Sequence, residues 1–262
     1  MPSNGRANTT ELLEIAERVA RAAGALLLDH ATRRPVAVHS KSSATDMVSA
    51  ADHASEELIV GLLEAARPDD GLIGEEGTAR ASATGLTWIC DPLDGTTNYL
   101  YRLPQWAVSI AVEDASGPVA SCVYDAIRDE AFTAAREHGA SVNGHPIRTS
   151  DATELATSLI GTGFSYDAGL RAEQGARLAQ VLAAVRDIRR AGSAALDLAW
   201  VACGRLDGFF ESDIQHWDYA GGRLVVQEAG GRFHLGPGPH RGIPQVVAAA
   251  PGIHAALKSL AG

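Results

Sequence analysis

Asp91 and Asp94 stand three residues apart at the end of the apolar run Trp88-Ile89-Cys90. A strand that ends directly in two carboxylates can hold a cation, and Pro92 fixes the chain between them. Gly95 follows, a residue that lets the backbone turn or come close to a ligand. The residues from Thr96 onward can open a helix, whose free N–H groups suit a phosphate. The same stretch also reads as a plain turn in which both side chains accept from backbone amides. Two further acidic positions repeat the pattern. Gly74-Glu75-Glu76-Gly77 follows the apolar pair Leu72-Ile73, and taken alone it is equally a solvated loop. His216-Trp217-Asp218 opens a helix that ends in Glu228-Ala229-Gly230-Gly231. There Asp218 also suits a helix N-cap, with glycine at the C-terminal end.

The combination says more than its parts. Glu75, Asp91, Asp94 and Asp218 each follow an apolar segment at the end of an element. If they converge, the site is strongly anionic: two like charges about 4 Å apart cost about 4 kcal/mol at an effective dielectric constant of about 20. Bound cations would relieve that. All-oxygen donors are hard, and a few carboxylates with one backbone carbonyl suit Mg2+ better than zinc. No two of the nine histidines are spaced i, i+3 or i+4, so a helix-borne zinc site is not expected. G-x-S-x-G, the Walker A loop and a complete G-x-G-x-x-G are all missing. Gly161-Thr162-Gly163 continues with Phe, Ser and Tyr, so a dinucleotide reading fails there.

The elements that must position these residues follow from periodicity. Thr9 or Thr10 can cap a helix to about residue 30, with Leu12, Ile15, Ala16, Val19, Ala23, Leu26 and Leu27 as its apolar stripe. Val36–His39 reads as a short strand and residues 45–66 as a second helix. Leu72-Ile73-Gly74 and Trp88-Ile89-Cys90 read as buried strands. Trp106–Val112, Val119–Tyr124 and Ala131–Thr133 form an antiparallel meander with turns at Ser116-Gly117 and Asn143-Gly144. After about residue 150 strands and helices alternate. A strand at Ser158–Gly161 precedes helices at about 171–186 and 193–203. A strand at Leu206–Phe210 precedes a helix at about 217–229, and a strand at Gln245–Ala249 precedes a last helix near 252–260. Gly236–Gly242 reads as a surface loop. The expectation is an α/β (α+β) chain. Its N-terminal half, 1–150, carries most of the candidate ligands, and 151–262 is an α/β half, in one compact unit.

Composition bounds the partners. The chain has 262 residues and 27.3 kDa, which predicts one to two domains. Its net charge is −10 and its pI about 5.3, a poor match to nucleic acid or an anionic membrane. The longest basic cluster is Arg186, Arg189 and Arg190. Cys90, Cys122 and Cys203 are an odd number, far apart and among apolar neighbours, and read as buried free thiols in a reducing compartment. The N-terminus shows no secretory signal and no apolar run approaches a membrane span, so a cytoplasmic protein is expected.

At this point a resemblance enters. Gly74-Glu75-Glu76, the run DPLDGTTNY at 91–99 and the run WDYAGGRLVVQEAGG at 217–231 resemble the signature motifs of the inositol monophosphatase family. KSSATDMVSAAD at 41–52 resembles the family's lysine-containing lead into an Asp-bearing helix. RRAGSAALDLAWVACGRLDGFFE at 189–211 resembles its sugar-side segment. The resemblance covers most of the chain, in order. It implies a Mg2+-dependent, lithium-sensitive phosphomonoesterase with a layered αβαβα sandwich, working as a homodimer. It implies that Glu75, Asp91 and the Leu93 carbonyl hold an activating ion, and that Asp91, Asp94 and Asp218 hold a second. Glu75 would also touch a weaker third, giving two to three Mg2+ ions. Thr96 and Glu75 would polarise the attacking water, with Asp52 orienting the Thr96 hydroxyl. The backbone at Gly95-Thr96 would hold the substrate phosphate, with Asp94 and Asp218 counted among the substrate-binding residues as well as the metal ligands. Gly192, Ser193, Ala194 and Glu211 would face its alcohol.

Within the family Thr97-Asn98-Tyr99 resembles the inositol branch, and Glu211 suits polyol hydroxyls. The substrate reading is a small phosphorylated polyol or amino-alcohol, with myo-inositol 1-phosphate first and histidinol phosphate or another sugar or nucleotide phosphate as the alternative. A fold retained without activity is the reading from another class. It would show as a missing metal carboxylate, and none is missing.

Overall fold

In a computed structural model of the chain, residues 8–32, 38–40, 47–238 and 243–262 are described. Helices α1 (Thr9–Thr32) and α2 (Ala50–Ala66) flank a short hairpin of β1 (Val38–Ser40) and β2 (Met47–Ser49). Eight strands then form the first sheet: β3 (Gly71–Gly74), β4 (Ala79–Arg80), β5 (Thr87–Asp94), β6 (Ala107–Asp114), β7 (Gly117–Asp125), β8 (Glu130–Ala135), β9 (Ala140–Val142) and β10 (His145–Pro146). The one-turn helix α3 (Thr96–Leu100) interrupts them after β5. The second sheet holds β11 (Leu159–Thr162), β12 (Asp187–Arg189), β13 (Gly208–Ser212), β14 (Arg232–Pro237) and β15 (Pro244–Ala249). Around it lie α4 (Ala168–Ala184), α5 (Ala194–Ala202), α6 (His216–Glu228) and α7 (His254–Ala261).

Strand alternation stacks these pieces. In the first sheet Trp88, Cys90, Ile110 and Cys122 pack against Leu12, Val19 and Ile59 of α1 and α2. The opposite face turns Val123, Phe132 and Ala134 toward Leu198 of α5 and Val225 of α6. The same middle helices cover Phe209, Val246 and Ala248 of the second sheet. Its other face offers Ile160, Val247 and Ala249 to Val181 of α4 and Leu257 of α7. The order is therefore α1/α2, sheet, α5/α6, sheet, α4/α7: a five-layered αβαβα sandwich. The first sheet runs β10-β9-β8-β7-β6-β5-β3-β4 and the second β12-β11-β13-β15-β14. Both middle helices are fully sandwiched, which accounts for the nearly continuous apolar run Ala194–Ala202, broken only by Asp197.

Three elements depart from the periodicity reading. Met47–Ser49 is strand rather than the start of a helix, and α2 begins at Ala50; a short apolar run cannot be assigned to helix or strand by period alone. The helix expected to reach residue 186 starts earlier, where Asp167 accepts from the Leu170 N–H at 2.7 Å, and ends at Ala184. That frees Asp187–Arg189 to pair in parallel with β11. Gly236 and Pro237, expected in a loop, close β14 at the sheet edge, where a missing N–H costs no ladder bond. The Val36–His39 expectation and Lys41 lie wholly or partly outside the described residues.

Candidate active site

Three residues along a regular strand would put Asp91 and Asp94 on opposite faces of the sheet. They fall on the same face because β5 carries a bulge there. Asp91 opposes Ser109 of β6 and Asp94 opposes Ala107, so three steps on β5 match two on its partner. Pro92 has no N–H to lose at the irregularity. Leu93 turns back into the outer core, fully buried. Both carboxylates thus point to the side on which α6 lies.

The other acids arrive from neighbouring ends. β3 runs parallel to β5, pairing Gly74 with Cys90, so Glu75 emerges beside Asp91, with its N–H 3.3 Å from the Cys90 carbonyl. Glu56 of α2 holds this corner. Its carboxylate accepts from the Glu76 N–H at 2.8 Å and from the Thr78 hydroxyl at 2.6 Å, and a Cβ on Gly74 would meet it at 2.5 Å. Asp218 stands at the third position of α6. Gln215 is the N-cap and donates its N–H to Asp218 Oδ2 at 2.7 Å, so Asp218 closes a capping box instead of capping the helix itself.

α5 grips Asp94 from behind. Ser193, the N-cap of α5, donates to Asp94 Oδ2 at 2.5 Å, and the Ala195 N–H donates to the same oxygen at 2.8 Å. Asp94 Oδ1 has only a long contact, 3.3 Å to the Ala194 N–H. Asp91 shows the same division, with Oδ1 accepting from the Leu93 N–H at 2.9 Å. Gly95 makes the turn into α3 at φ +95°, where a Cβ would lie 2.9 Å from the Gln105 carbonyl oxygen. Asn98 fixes α3 in place, donating to the Gln105 carbonyl at 2.7 Å and the Ala191 carbonyl at 2.8 Å.

One cleft collects these groups. Glu75, Asp91, Leu93, Asp94, Gly95, Thr96, Gly192, Ser193, Ala194, Glu211 and Asp218 all line it. Asp52 does not. It is buried at the start of α2, and its charge reaches Tyr99 on α3. The Thr96 hydroxyl donates to the Leu93 carbonyl at 3.1 Å, which leaves that oxygen a second lone pair.

The cleft is electrostatically loaded. Burial, then Glu75, Asp94 and Asp218, push the Asp91 carboxyl well above the usual range. Burial raises Asp94 to about 6 although Ser193, Ala195 and Ala194 favour its charged form. Asp218 rises through burial and through Asp94. Burial raises Glu211 to about 7, against the pull of Arg190. Glu211 and Asp218 each keep part of their surface open to the cleft, so water moderates their rise. Among the described residues no three His, Cys, Asp or Glu side chains are drawn into a ready-made cation cage. The acids instead surround the cleft, and Arg190 and the donors to Asp94 offset their repulsion only in part. As a donor set, carboxylates plus one carbonyl, they fit a hard divalent cation in kind.

Several lining residues carried no role in the sequence reading: Asp197, Arg190, Asp213, Ser165 and Tyr166. Arg190 stood out only as part of a short basic cluster. Asp197 sits four residues after Ser193, one helical turn into an apolar helix, and that polar intrusion was the available signal. All three cysteines are free, with Cys90 and Cys122 buried and Cys203 partly so. Among the described residues no helix is long and apolar enough to cross a membrane.

Comparison with known proteins places the chain in a family. The sequence profile of the inositol monophosphatase family matches residues 8–261. An inositol-1-monophosphatase of Mycobacterium leprae (strain TN) is 43% identical over 232 residues, spanning 84% of this chain and 80% of that protein. The Nus factor SuhB of Escherichia coli (strain K12) is 41% identical over 222 residues, 84% of this chain and 83% of that protein. The crystal structure of the extragenic suppressor protein suhB from Bartonella henselae superposes with a TM-score of 0.88 at 37% identity. It covers 95% of this chain and 97% of that one. The chain belongs to the inositol monophosphatase family, a family of phosphoric monoester hydrolases.

Proposed function

We propose that the protein hydrolyses a small phosphomonoester, myo-inositol 1-phosphate before others, with Mg2+ as its cofactor. The observation that carries this reading is the β5 bulge, which turns Asp91 and Asp94 to one face beside Glu75 and Asp218, directly ahead of the Gly95 turn. We assign Glu75, Asp91, the Leu93 carbonyl, Asp94 and Asp218 to two or three Mg2+ ions. Bound there, Mg2+ would neutralise the phosphate, lower the pKa of the attacking water and stabilise charge on the leaving oxygen.

The chain's own groups do the rest. Gly95 and Thr96 present backbone N–H groups to the phosphate, an approach that the absent side chain of Gly95 allows. Glu75 and Thr96 orient and polarise the attacking water, the Thr96 hydroxyl accepting from it while donating to the Leu93 carbonyl. Asp52 is assigned to positioning Thr96, which lies one turn from Tyr99, the α3 residue that feels the Asp52 charge. The Gly192–Ala194 segment and Glu211 face the leaving alcohol. An acid in that position accepts from polyol hydroxyls and repels phosphate, so it selects for the alcohol rather than the ester. The acidic wall also suits the ammonium group of an amino-alcohol, which keeps histidinol phosphate as the alternative substrate.

The test is phosphate release from inositol 1-phosphate, histidinol phosphate, fructose 1,6-bisphosphate, nucleotide phosphates and p-nitrophenyl phosphate, with Mg2+ and after exhaustive EDTA treatment. Expected are release only with Mg2+ or a similar hard ion, and the highest kcat/KM on inositol 1-phosphate. Full activity after EDTA overturns the metal assignment, and a clear preference for histidinol phosphate overturns the substrate.

A further inference from the structure

Beyond Glu211, a second acid stands at the alcohol end of the cleft. Asp197 projects from the first turn of α5, is 1% exposed, and lines the cleft. Among the described residues its Oδ1 has no hydrogen-bond partner. Glu211 is the strongest charge on it after burial itself, with Asp94 next and Arg190 acting the other way. A buried carboxyl without a partner is costly, and such groups are uncommon in folded proteins unless they have a function.

The backbone opposite has been cleared to admit Glu211 and runs within contact distance of Asp197. Gly161 and Gly163 flank the end of β11. A Cβ on Gly163 would collide with the Glu211 carboxyl, and one on Gly161 would lie 3.4 Å from the Asp197 carboxyl carbon and 2.9 Å from Leu206. Gly163, the end of the motif that fails as a dinucleotide loop, thus lies on the floor of a pocket walled by Glu211 and Asp197. Side chains on one strand alternate, so Thr162 points away from this floor, toward the outer helices with Ile160.

We infer that Asp197 is a specificity-determining residue, a second hydroxyl acceptor beside Glu211 that receives a further hydroxyl of the leaving polyol. This rests on the phosphatase reading above and deepens it. A substrate with one hydroxyl in reach satisfies Glu211 alone; a polyol with neighbouring hydroxyls satisfies both. An alcohol without such donors, like p-nitrophenol, leaves Asp197 as it stands in the free protein. The structure therefore selects polyol phosphates carrying at least two free hydroxyls near the ester.

Asp197→Asn keeps the shape and removes the charge. In the free protein it breaks no hydrogen bond to Oδ1, so its melting temperature should equal or exceed that of the wild type. On inositol 1-phosphate kcat/KM should fall roughly 10- to 150-fold, the scale for losing a hydrogen bond to a charged group, and at least tenfold further than on p-nitrophenyl phosphate. Asp197→Ser serves if the amide does not fold. Calorimetric titration with myo-inositol itself needs no turnover and should show weaker binding in the variant. It keeps the two readings apart: a wild type that binds myo-inositol through Asp197 yet releases no phosphate would refute the hydrolase assignment alone. Equal losses on both esters with a lowered melting temperature would make Asp197 structural. Unchanged discrimination and unchanged myo-inositol binding would leave the inference refuted, and a larger loss on histidinol phosphate than on inositol 1-phosphate would overturn the polyol assignment.

Discussion

Ser193→Ala removes one oxygen that serves two purposes. Ser193 Oγ donates to Asp94 Oδ2 at 2.5 Å and accepts from the Leu196 N–H at 3.3 Å as the N-cap of α5. Losing a serine N-cap costs about 1 kcal/mol. Losing a hydrogen bond to a charged acceptor costs about 1.5–3 kcal/mol. Asp94 Oδ2 keeps the Ala195 N–H at 2.8 Å, and the cap contact is long, so the two losses overlap and the net is about 2–3 kcal/mol. At about 2–4 °C per kcal/mol for a chain of this size, the melting temperature should drop by about 4–12 °C. Function should suffer in a specific way. Asp94 loses the group that pins one oxygen and leaves the other to the cleft. Half-activation by Mg2+ should then rise by about 10- to 100-fold, the usual cost of removing a hydrogen bond behind a metal ligand. The Asp94 carboxyl should also move further above about 6, since a donor to its charged form is gone. Ser193→Thr keeps the oxygen and should recover most of both effects. Calorimetry and a Mg2+ titration of phosphate release read the two consequences separately. A Ser193→Ala protein with wild-type melting temperature and Mg2+ response would refute the reasoning.

Metal-free protein should lose stability as pH rises from about 4 to 7. Asp94 at about 6 and Glu211 at about 7 hold protons in the folded state that the unfolded chain has already released. Mg2+ should therefore raise the melting temperature more at pH 8 than at pH 5, and an EDTA-treated protein most stable at pH 8 would contradict this. Gly95→Ala forces a side chain to φ +95° against the Gln105 carbonyl at 2.9 Å and the Gly192 carbonyl at 3.2 Å. It should destabilise by more than about 1 kcal/mol and lower kcat more than it raises KM for inositol 1-phosphate. Steady-state kinetics with wild-type values would remove the turn from the mechanism. The homodimer is a proposal from the family; light scattering at assay concentration should give about twice the 27.3 kDa of the chain.

The elements were legible because periodicity changes along the chain: helical stripes, then a meander of alternating strands, then strands and helices in turn. Their five-layer order followed only from the family resemblance. The acids were legible as well, each at the end of an apolar run. What could not be read was the face each one takes. A spacing of three residues argues against a shared face, and only a bulge overrides it; Pro92 hinted at an irregularity without giving its sense. Asp197 was illegible for a different reason. In sequence it is one polar residue in an apolar helix, and its meaning depends on Gly161, Gly163 and Glu211, from strands on either side of it in the chain. Glu56 resembles any helix glutamate until Gly74 places it against the Glu75 corner. Short edge strands such as Asp187–Arg189 carry too few residues to show alternation at all.

The way the acids are held bears on how the cleft can work. Asp91, Asp94 and Asp218 each give one oxygen to donors of the surrounding chain: the Leu93 N–H, the Ser193 hydroxyl with the Ala195 N–H, and the Gln215 N–H. These bonds favour the charged forms, while burial and mutual repulsion disfavour them more strongly, as the raised pKa values show. The scaffold thus fixes the direction of each carboxylate without neutralising it. Neutralisation is left to whatever enters the cleft, and Arg190 cannot supply it alone against Glu75, Asp91, Asp94, Asp218, Glu211, Asp197 and Asp213. A free phosphate ester would be repelled by such a surface. Cations must therefore enter before or with the ester, so phosphate binding should be undetectable in metal-free protein and should appear as Mg2+ is added. Tight binding of the ester to EDTA-treated protein would show that the chain's own N–H groups and Arg190 outweigh its acids, and the electrostatic order argued here would be wrong.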